Sequence, residues 1–308
     1  MKKSVIDMGS NSVRLMLAAC DGGRITASEK HLEMTRLAQG VDASGRLQEP
    51  PMALTIEVIR RYRAMAAEAG AEPPVAYATS AVRDAANGEE FAQRVFRETG
   101  VPVRIVPGEL EAELGFLGVA ATLPDPEEPV LVVDIGGGST ECIVGSGAGI
   151  RFAQSRNVGA VRMTGRHLTR DPMDPGEWAV LKQDIADGLS EVCEALKAER
   201  FSRIYGIGGT LTTAAAMVLG LTVYDPAAVQ HYPVTREALG ALLEQVCALP
   251  LAQRRLLPGL QPKRADVIPA GFQIMASLMD CLGADRFHAS DADNLEGVLF
   301  KYHMDGGC

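Results

Sequence analysis

The stretch Val5-Ile6-Asp7-Met8-Gly9-Ser10-Asn11-Ser12-Val13-Arg14-Leu15-Met16-Leu17 returns in altered form as Val132-Val133-Asp134-Ile135-Gly136-Gly137-Gly138-Ser139-Thr140-Glu141-Cys142-Ile143-Val144. The two align without a gap, Asp7 over Asp134 and Ser12 over Ser139. Each is an apolar run, an aspartate, a turn of small residues and a second apolar run. That is the pattern of a β-hairpin. Meeting it twice predicts two related domains.

The chain around these hairpins reads as mixed α/β. In the first half, residues 24–37 read as strand. Helical spacing of Leu54, Val58, Tyr62 and Met65 predicts a helix over 52–69. Val75–Thr79 and Val101–Val106 read as strands, and 88–99 and 108–122 as helices. The proline-rich loop Pro124–Pro129 marks a boundary, giving domains 1–123 and 124–293. In the second half a strand near 150–156 follows the hairpin. A helix is expected over Pro175–Leu196, a strand and glycine turn at 204–210, and loops with short helices over 225–262. Two more helices are expected over 265–283 and near 294–303. Strands separated by helices predict an α/β fold.

Length and composition agree. At about 150 residues per domain, 308 residues suggest two domains. A net charge of -9 argues against a protein that coats double-stranded nucleic acid or an anionic membrane. No apolar run nears the ~18 residues of a membrane span. Asp7 stands where an export signal needs an apolar core, so a cytoplasmic protein is expected. The six cysteines, Cys308 among them, are scattered without CxxC spacing, and the five histidines lack metal-ligand spacing.

Asp134-Ile-Gly136-Gly137-Gly138-Ser139-Thr140-Glu141 is the strongest local signal. Three glycines let backbone N–H groups approach an anion that any Cβ would obstruct. Ser139 and Thr140 add hydroxyls, and Asp134 and Glu141 are carboxylates suited to Mg²⁺. The bland alternative is a tight turn with solvated acids. In the first copy, Asp7 is the corresponding acid and Ser10, Asn11 and Ser12 are candidate phosphate donors, although these types are also common turn residues. Arg83, just beyond a strand, suits a planar phosphate contact or a helix cap. Arg14, Arg36 and Arg264 are further basic candidates. Glu111, Gly115 and Gly118 share one helix face, with Leu110, Leu114 and Leu117 beside it as a stripe packing inward. A carboxylate above a smooth groove suits a general base, though acids at a helix start more often answer the dipole. Gly206-Ile-Gly208-Gly209-Thr210 resembles a nucleotide-phosphate turn without dinucleotide-fold spacing.

Taken together, Asp7-x-Gly-Ser-Asn-Ser-x-Arg14, Thr35-Arg36-Leu37, Ala78–Arg83, Gly108-x-x-Glu111-Ala, Asp134–Glu141, Val158–Arg162, Gly206-x-Gly-Gly-Thr and Arg264–Ile268 resemble the exopolyphosphatase / guanosine pentaphosphate phosphohydrolase (Ppx/GppA) family. The resemblance spans essentially the whole chain. It implies two ribonuclease H-like domains of the actin/Hsp70/sugar kinase superfamily, an active cleft between them, and a C-terminal helix (about 294–308) returning to the first domain. It implies Mg²⁺-dependent hydrolysis of a terminal phosphoanhydride, in polyphosphate or guanosine pentaphosphate, by a homodimer. The family's catalytic glutamate matches Glu111, its metal-associated acids match Asp134 and Glu141, and its phosphate-binding residues match Ser10, Asn11, Arg83 and Gly136–Gly138. Two positions depart from the family pattern: Leu110, where a glutamate is usual, and Leu295, where an arginine is usual. The sequence stops where longer members add a C-terminal helical domain, so a short, two-domain member is expected. Two other readings stay open: an alarmone-binding sensor without turnover, and an ATP-dependent kinase of the actin-like fold.

Overall fold

The computed structural model describes residues 1–304 of the chain. They divide into two units, Met1–Gly118 with the residues from Asn294 onward, and Val119–Asp293. The division falls in the last turn of the helix Gly108–Ala120, a few residues short of the proline-rich loop where the sequence suggests it.

Unit 1 is a five-stranded sheet in the order β3-β2-β1-β4-β5. Its strands are β1 (Lys2–Met8), β2 (Ser12–Asp21), β3 (Arg24–Met34), β4 (Val75–Ala78) and β5 (Val103–Ile105). The first three form antiparallel hairpins, and β4 and β5 run parallel to β1. β1 is buried on both faces, and its side chains alternate between them. Ile6 and Met8 join a core with Leu15, Ile56 and Ile59. Val5 joins a second core with Tyr77, Leu114, Leu295 and Val298. The helix Glu49–Glu68 carries the first core; prolines occupy its opening turn, where no backbone N–H is needed. The C-terminal helix Asn294–Leu299 covers the other face. It lies backbone to backbone on the helix Gly108–Ala120, because a Cβ at Gly297 would stand 1.8 Å from the Leu114 carbonyl oxygen. Beyond Leu299 the expected helix widens into a π-turn over Phe300–Met304, and residues 305–308 lie outside the described chain.

Unit 2 is a six-stranded sheet in the order β10-β11-β9-β6-β7-β8. These are β6 (Val130–Ile135), β7 (Thr140–Ser146), β8 (Gly149–Arg156), β9 (Arg203–Ile207), β10 (Pro233–Thr235) and β11 (Arg286–Ala289). Apart from the added edge strand β10, the order 8-7-6-9-11 repeats 3-2-1-4-5, so the sequence repeat is also a repeat of topology. One core runs through the unit, from Val133 and Ile135 to the helices Pro175–Lys197 and Ile268–Leu282. The first of these starts as its sequence suggests. Asp174 Oδ1 accepts from Gly176 N and Glu177 N at 2.9 and 3.1 Å, with Pro175 in the first turn. The segment 225–262 is more ordered than expected and contains the 13-residue helix Arg236–Ala248. Thr235 Oγ1 caps it by accepting from Ala238 N, and Leu239, Leu242 and Val246 supply its buried stripe.

No helix among the described residues is long and apolar enough to cross a membrane. The five described cysteines are free thiols. Burial pushes the buried Cys193 up to about 12 and the half-buried Cys247 to about 11, so both stay protonated.

Candidate active site

In unit 1 the turn between β1 and β2 is closed by Gly9 N donating to Ser12 O at 3.0 Å. The loop after β3 then binds the turn's carbonyls, Arg36 N to Asn11 O at 3.0 Å and Ala38 N to Ser10 O at 2.8 Å. Arg36 holds a left-handed backbone (φ 54°) to do so, an uncommon conformation for a residue with a Cβ. Ser10 Oγ is bonded to Ser80 Oγ at 2.9 Å. Ser10, Asn11 and Ser12 are all buried. Asp7 and Arg14 face each other across β1 and β2, and Asp7 Oδ2 accepts from Arg14 Nη2 at 2.6 Å and Nε at 2.9 Å. The acid expected to help hold a metal is therefore engaged by a guanidinium.

Glu111 lies in the first turn of the helix Gly108–Ala120. Its Oε2 accepts from Arg83 Nη1 at 2.8 Å. It is buried together with Gly115 and Gly118, so the face expected as an open groove is covered. Of the neighbouring leucine stripe, Leu114 is buried while Leu110 and Leu117 are partly exposed. Glu111, Asp7, Thr79 and Asn294 ring a small cavity of about 10 Å³ floored by Val5, Tyr77, Val106, Leu114, Leu295 and Val298. That is about the room one water molecule needs, with enough polar neighbours to hold it. Leu295, one of the two departures from the family pattern, thus supplies part of the apolar floor.

In unit 2 the corresponding turn is closed the same way, by Gly136 N to Ser139 O at 3.0 Å. The Gly136 amide is spent on the turn itself, so of the three glycines expected to face an anion it is already engaged. The turn's carbonyls are taken by the start of the helix Ala160–His167. Ala160 N donates to Gly136 O, Val161 N and Arg162 N to Gly137 O, and Arg162 Nε to Gly138 O at 2.8 Å. A Cβ at Gly159 would stand 2.4 Å from Gly138 C, so only glycine lets the turn sit this low on the helix. Ser139 Oγ is buried and has no hydrogen-bond partner among the described residues.

Asp134 and Glu141 are cross-strand neighbours on β6 and β7, and their side chains lie on one face. Ser155 Oγ donates to Glu141 Oε1 at 2.7 Å. Gly208, at φ +77°, passes so close that a Cβ there would be 2.6 Å from Asp134 Oδ1. The Arg264 guanidinium lies against Gly209, 2.3 Å from where a Cβ would be, and Arg264 is itself buried. Asp134, Gly137–Ser139, Glu141, Gly208, Gly209 and Arg264 thus all belong to unit 2. Ser10–Ser12, Arg14, Arg36, Arg83 and Glu111 belong to unit 1.

Asp134 and Glu141 are hard oxygen donors, suited to Mg²⁺. No group of three or more His, Cys, Asp or Glu that could hold a metal stands together among the described residues. A pair fits an ion that keeps most of its waters, as Mg²⁺ does. Sequence reasoning missed three supporting residues: Ser80, Ser155 and Arg162. Ser80 and Arg162 fall within stretches that carry the family resemblance, but only the fold shows what each one holds.

A model of the Ppx/GppA phosphatase family matches residues 17–304. The chain belongs to that family. It is accordingly a phosphoanhydride hydrolase by class. Exopolyphosphatase 2 of Mycobacterium tuberculosis is 31% identical over 311 residues, covering 97% of both chains. A bifunctional 3-dehydroquinate synthase/phosphatase of Fusobacterium nucleatum is 31% identical over 97% of this chain, which spans 46% of that protein's length. The crystal structure of the Aquifex aeolicus Ppx/GppA family member is 34% identical and aligns with a TM-score of 0.80 over 98% of this chain and 97% of that one. The expected α/β architecture of the actin-like class is therefore the Ppx/GppA family's own.

Proposed function

We propose that this Ppx/GppA chain is an exopolyphosphatase that hydrolyses the terminal phosphoanhydride of inorganic polyphosphate, with Glu111 as the general base. The observation that carries this reading is the buried Glu111 carboxylate, fixed by a 2.8 Å bond from Arg83 and bordering a water-sized cavity. Exopolyphosphatase relatives that match end to end support the substrate class.

In this reading Glu111 orients a water and takes its proton as the oxygen attacks the terminal phosphorus. The bridging P–O bond breaks, and inorganic phosphate and a chain one unit shorter leave. The amides of Gly137, Gly138 and Ser139 and the Ser139 hydroxyl would donate to phosphate oxygens, with Arg264 as a further polar partner in the same unit. Asp134 and Glu141 would hold Mg²⁺, which neutralises charge on the phosphates when bound. With a net charge of -9 on the protein, binding of a polyanion depends on local arginines and weakens as salt rises.

The test is phosphate release with Mg²⁺ from short polyphosphate, long polyphosphate, guanosine pentaphosphate and ATP, compared side by side. Fastest release from polyphosphate supports the proposal. Preference for guanosine pentaphosphate moves the substrate to the alarmone while keeping the chemistry. No release from any of the four overturns it.

A further inference from the structure

We infer that Arg83 is a positioning residue that acts on turnover through Glu111, and not a substrate clamp; the inference rests on the reading of Glu111 as the base. Arg83 ends the single-turn helix Ser80–Arg83 that follows β4. Its Nη1 donates to Glu111 Oε2 at 2.8 Å and to Val106 O at 3.1 Å. That nitrogen has two hydrogens, and both are spent inside the protein. Val106, which follows β5, is itself tied back to β4 by its N–H on Ala78 O at 2.9 Å. One guanidinium nitrogen therefore locks the catalytic carboxylate to the ends of two neighbouring parallel strands.

The rest of the guanidinium fits this role better than a phosphate clamp. Arg83 Nε stands 3.5 Å from Asp84 Oδ1. A guanidinium binds phosphate best through two parallel N–H bonds along one edge. Here a carboxylate attends both sides, Glu111 at Nη1 and Asp84 at Nε, so an incoming dianion would meet two like charges. The Arg83 and Glu111 side chains are 21% and 8% exposed, and a partly desolvated charge-assisted bond resists rotation far more than a surface pair. A glutamate without such a partner samples several rotamers, and misplacing a catalytic group by about 1 Å can cost about a hundredfold.

The test is a double-mutant cycle on the full chain with short polyphosphate and Mg²⁺, using R83Q, R83K, E111Q and R83Q/E111Q, with thermal unfolding of each. R83Q is expected to lower kcat about 10- to 100-fold and to change KM less than about threefold. R83K should recover part of the loss, because it restores one charged donor. In the E111Q background R83Q should cost less than about threefold more, since its effect runs through the missing group. A rise in KM of tenfold or more at unchanged kcat would overturn the inference, as would losses that multiply in the double variant. If R83Q does not fold, R83K and R83K/E111Q complete the same cycle. Wild-type turnover in E111Q removes the base assignment and this inference together. An inactive E111Q with multiplying losses removes this inference alone.

Discussion

The two hairpin turns share one backbone and differ in the sign of one charge. Gly9 and Gly136 close their turns onto Ser12 and Ser139 with the same 3.0 Å bond, and in each unit the next segment binds the turn's carbonyls. Across the strands, however, Asp7 faces Arg14 while Asp134 faces Glu141. The first pair is internally neutral. The second is a pair of carboxyl groups, that of Glu141 almost fully buried. The same device therefore carries an acid opposite a base in unit 1 and two acids opposite each other in unit 2. In the proposed reading the paired acids would hold the cation in unit 2, while Glu111, the proposed base, stands in unit 1.

The sharpest way to test that division is its unit 1 half. E111Q should lose about 10²–10⁴ in kcat, the usual worth of general-base help, while its thermal shift on adding Mg²⁺ stays as in the wild type. Phosphate release and thermal unfolding on the same sample separate the two. The unit 2 half predicts the reverse signature. E141Q keeps an acceptor for Ser155 Oγ and removes one carboxylate of the pair. The Mg²⁺-induced stabilisation, about 1.4 kcal/mol at ten times the dissociation constant, should then disappear. A shift that survives in E141Q would break the comparison.

A smaller effect is expected from R14Q. It leaves the buried Asp7 carboxylate without its guanidinium and should cost about 1–3 kcal/mol of stability, read as a lower Tm or denaturation midpoint. Because the Asp7–Arg14 pair needs no added ion, this loss should be the same with and without Mg²⁺.

The smallest effect concerns pH. Burial and then the nearby Arg203 charge hold the His231 ring below the ordinary histidine range. Burial does the same for His288, outweighing its bond to Ile204, with Arg203 and Arg286 adding to the lowering. The unfolded chain therefore binds protons more readily than the folded one. Stability from these rings is complete above about pH 6.5 and falls as pH drops below it. Tm should decline by a degree or two toward pH 5.5, and H288Q should flatten that slope.

Much of this was legible in local pattern. The paired hairpins, the Pro175 helix start and the long apolar helix near residue 275 are written in contiguous residues. The helix Arg236–Ala248 was not, because Gly240 interrupts it and its stripe of Leu239, Leu242 and Val246 sits among loop-like residues. The candidate site was legible as residue types and not as pairs. Ser10 meets Ser80 and Arg83 meets Glu111 across long stretches of chain, and no local period encodes such a meeting. The charge difference between Arg14 and Glu141 was visible in the alignment of the repeat. Its meaning emerged only when strand register set each opposite its aspartate.

The return of Asn294–Leu299 to unit 1 also orders events in time. Unit 2 is one uninterrupted stretch of chain, whereas unit 1 is closed by residues made after it. During synthesis Val5, Tyr77 and Leu114 must wait uncovered while some 175 further residues leave the ribosome, on the order of ten to thirty seconds. Unit 1, begun before unit 2, is closed after it, and Glu111 acquires its finished surroundings only once Asn294–Leu299 has been made.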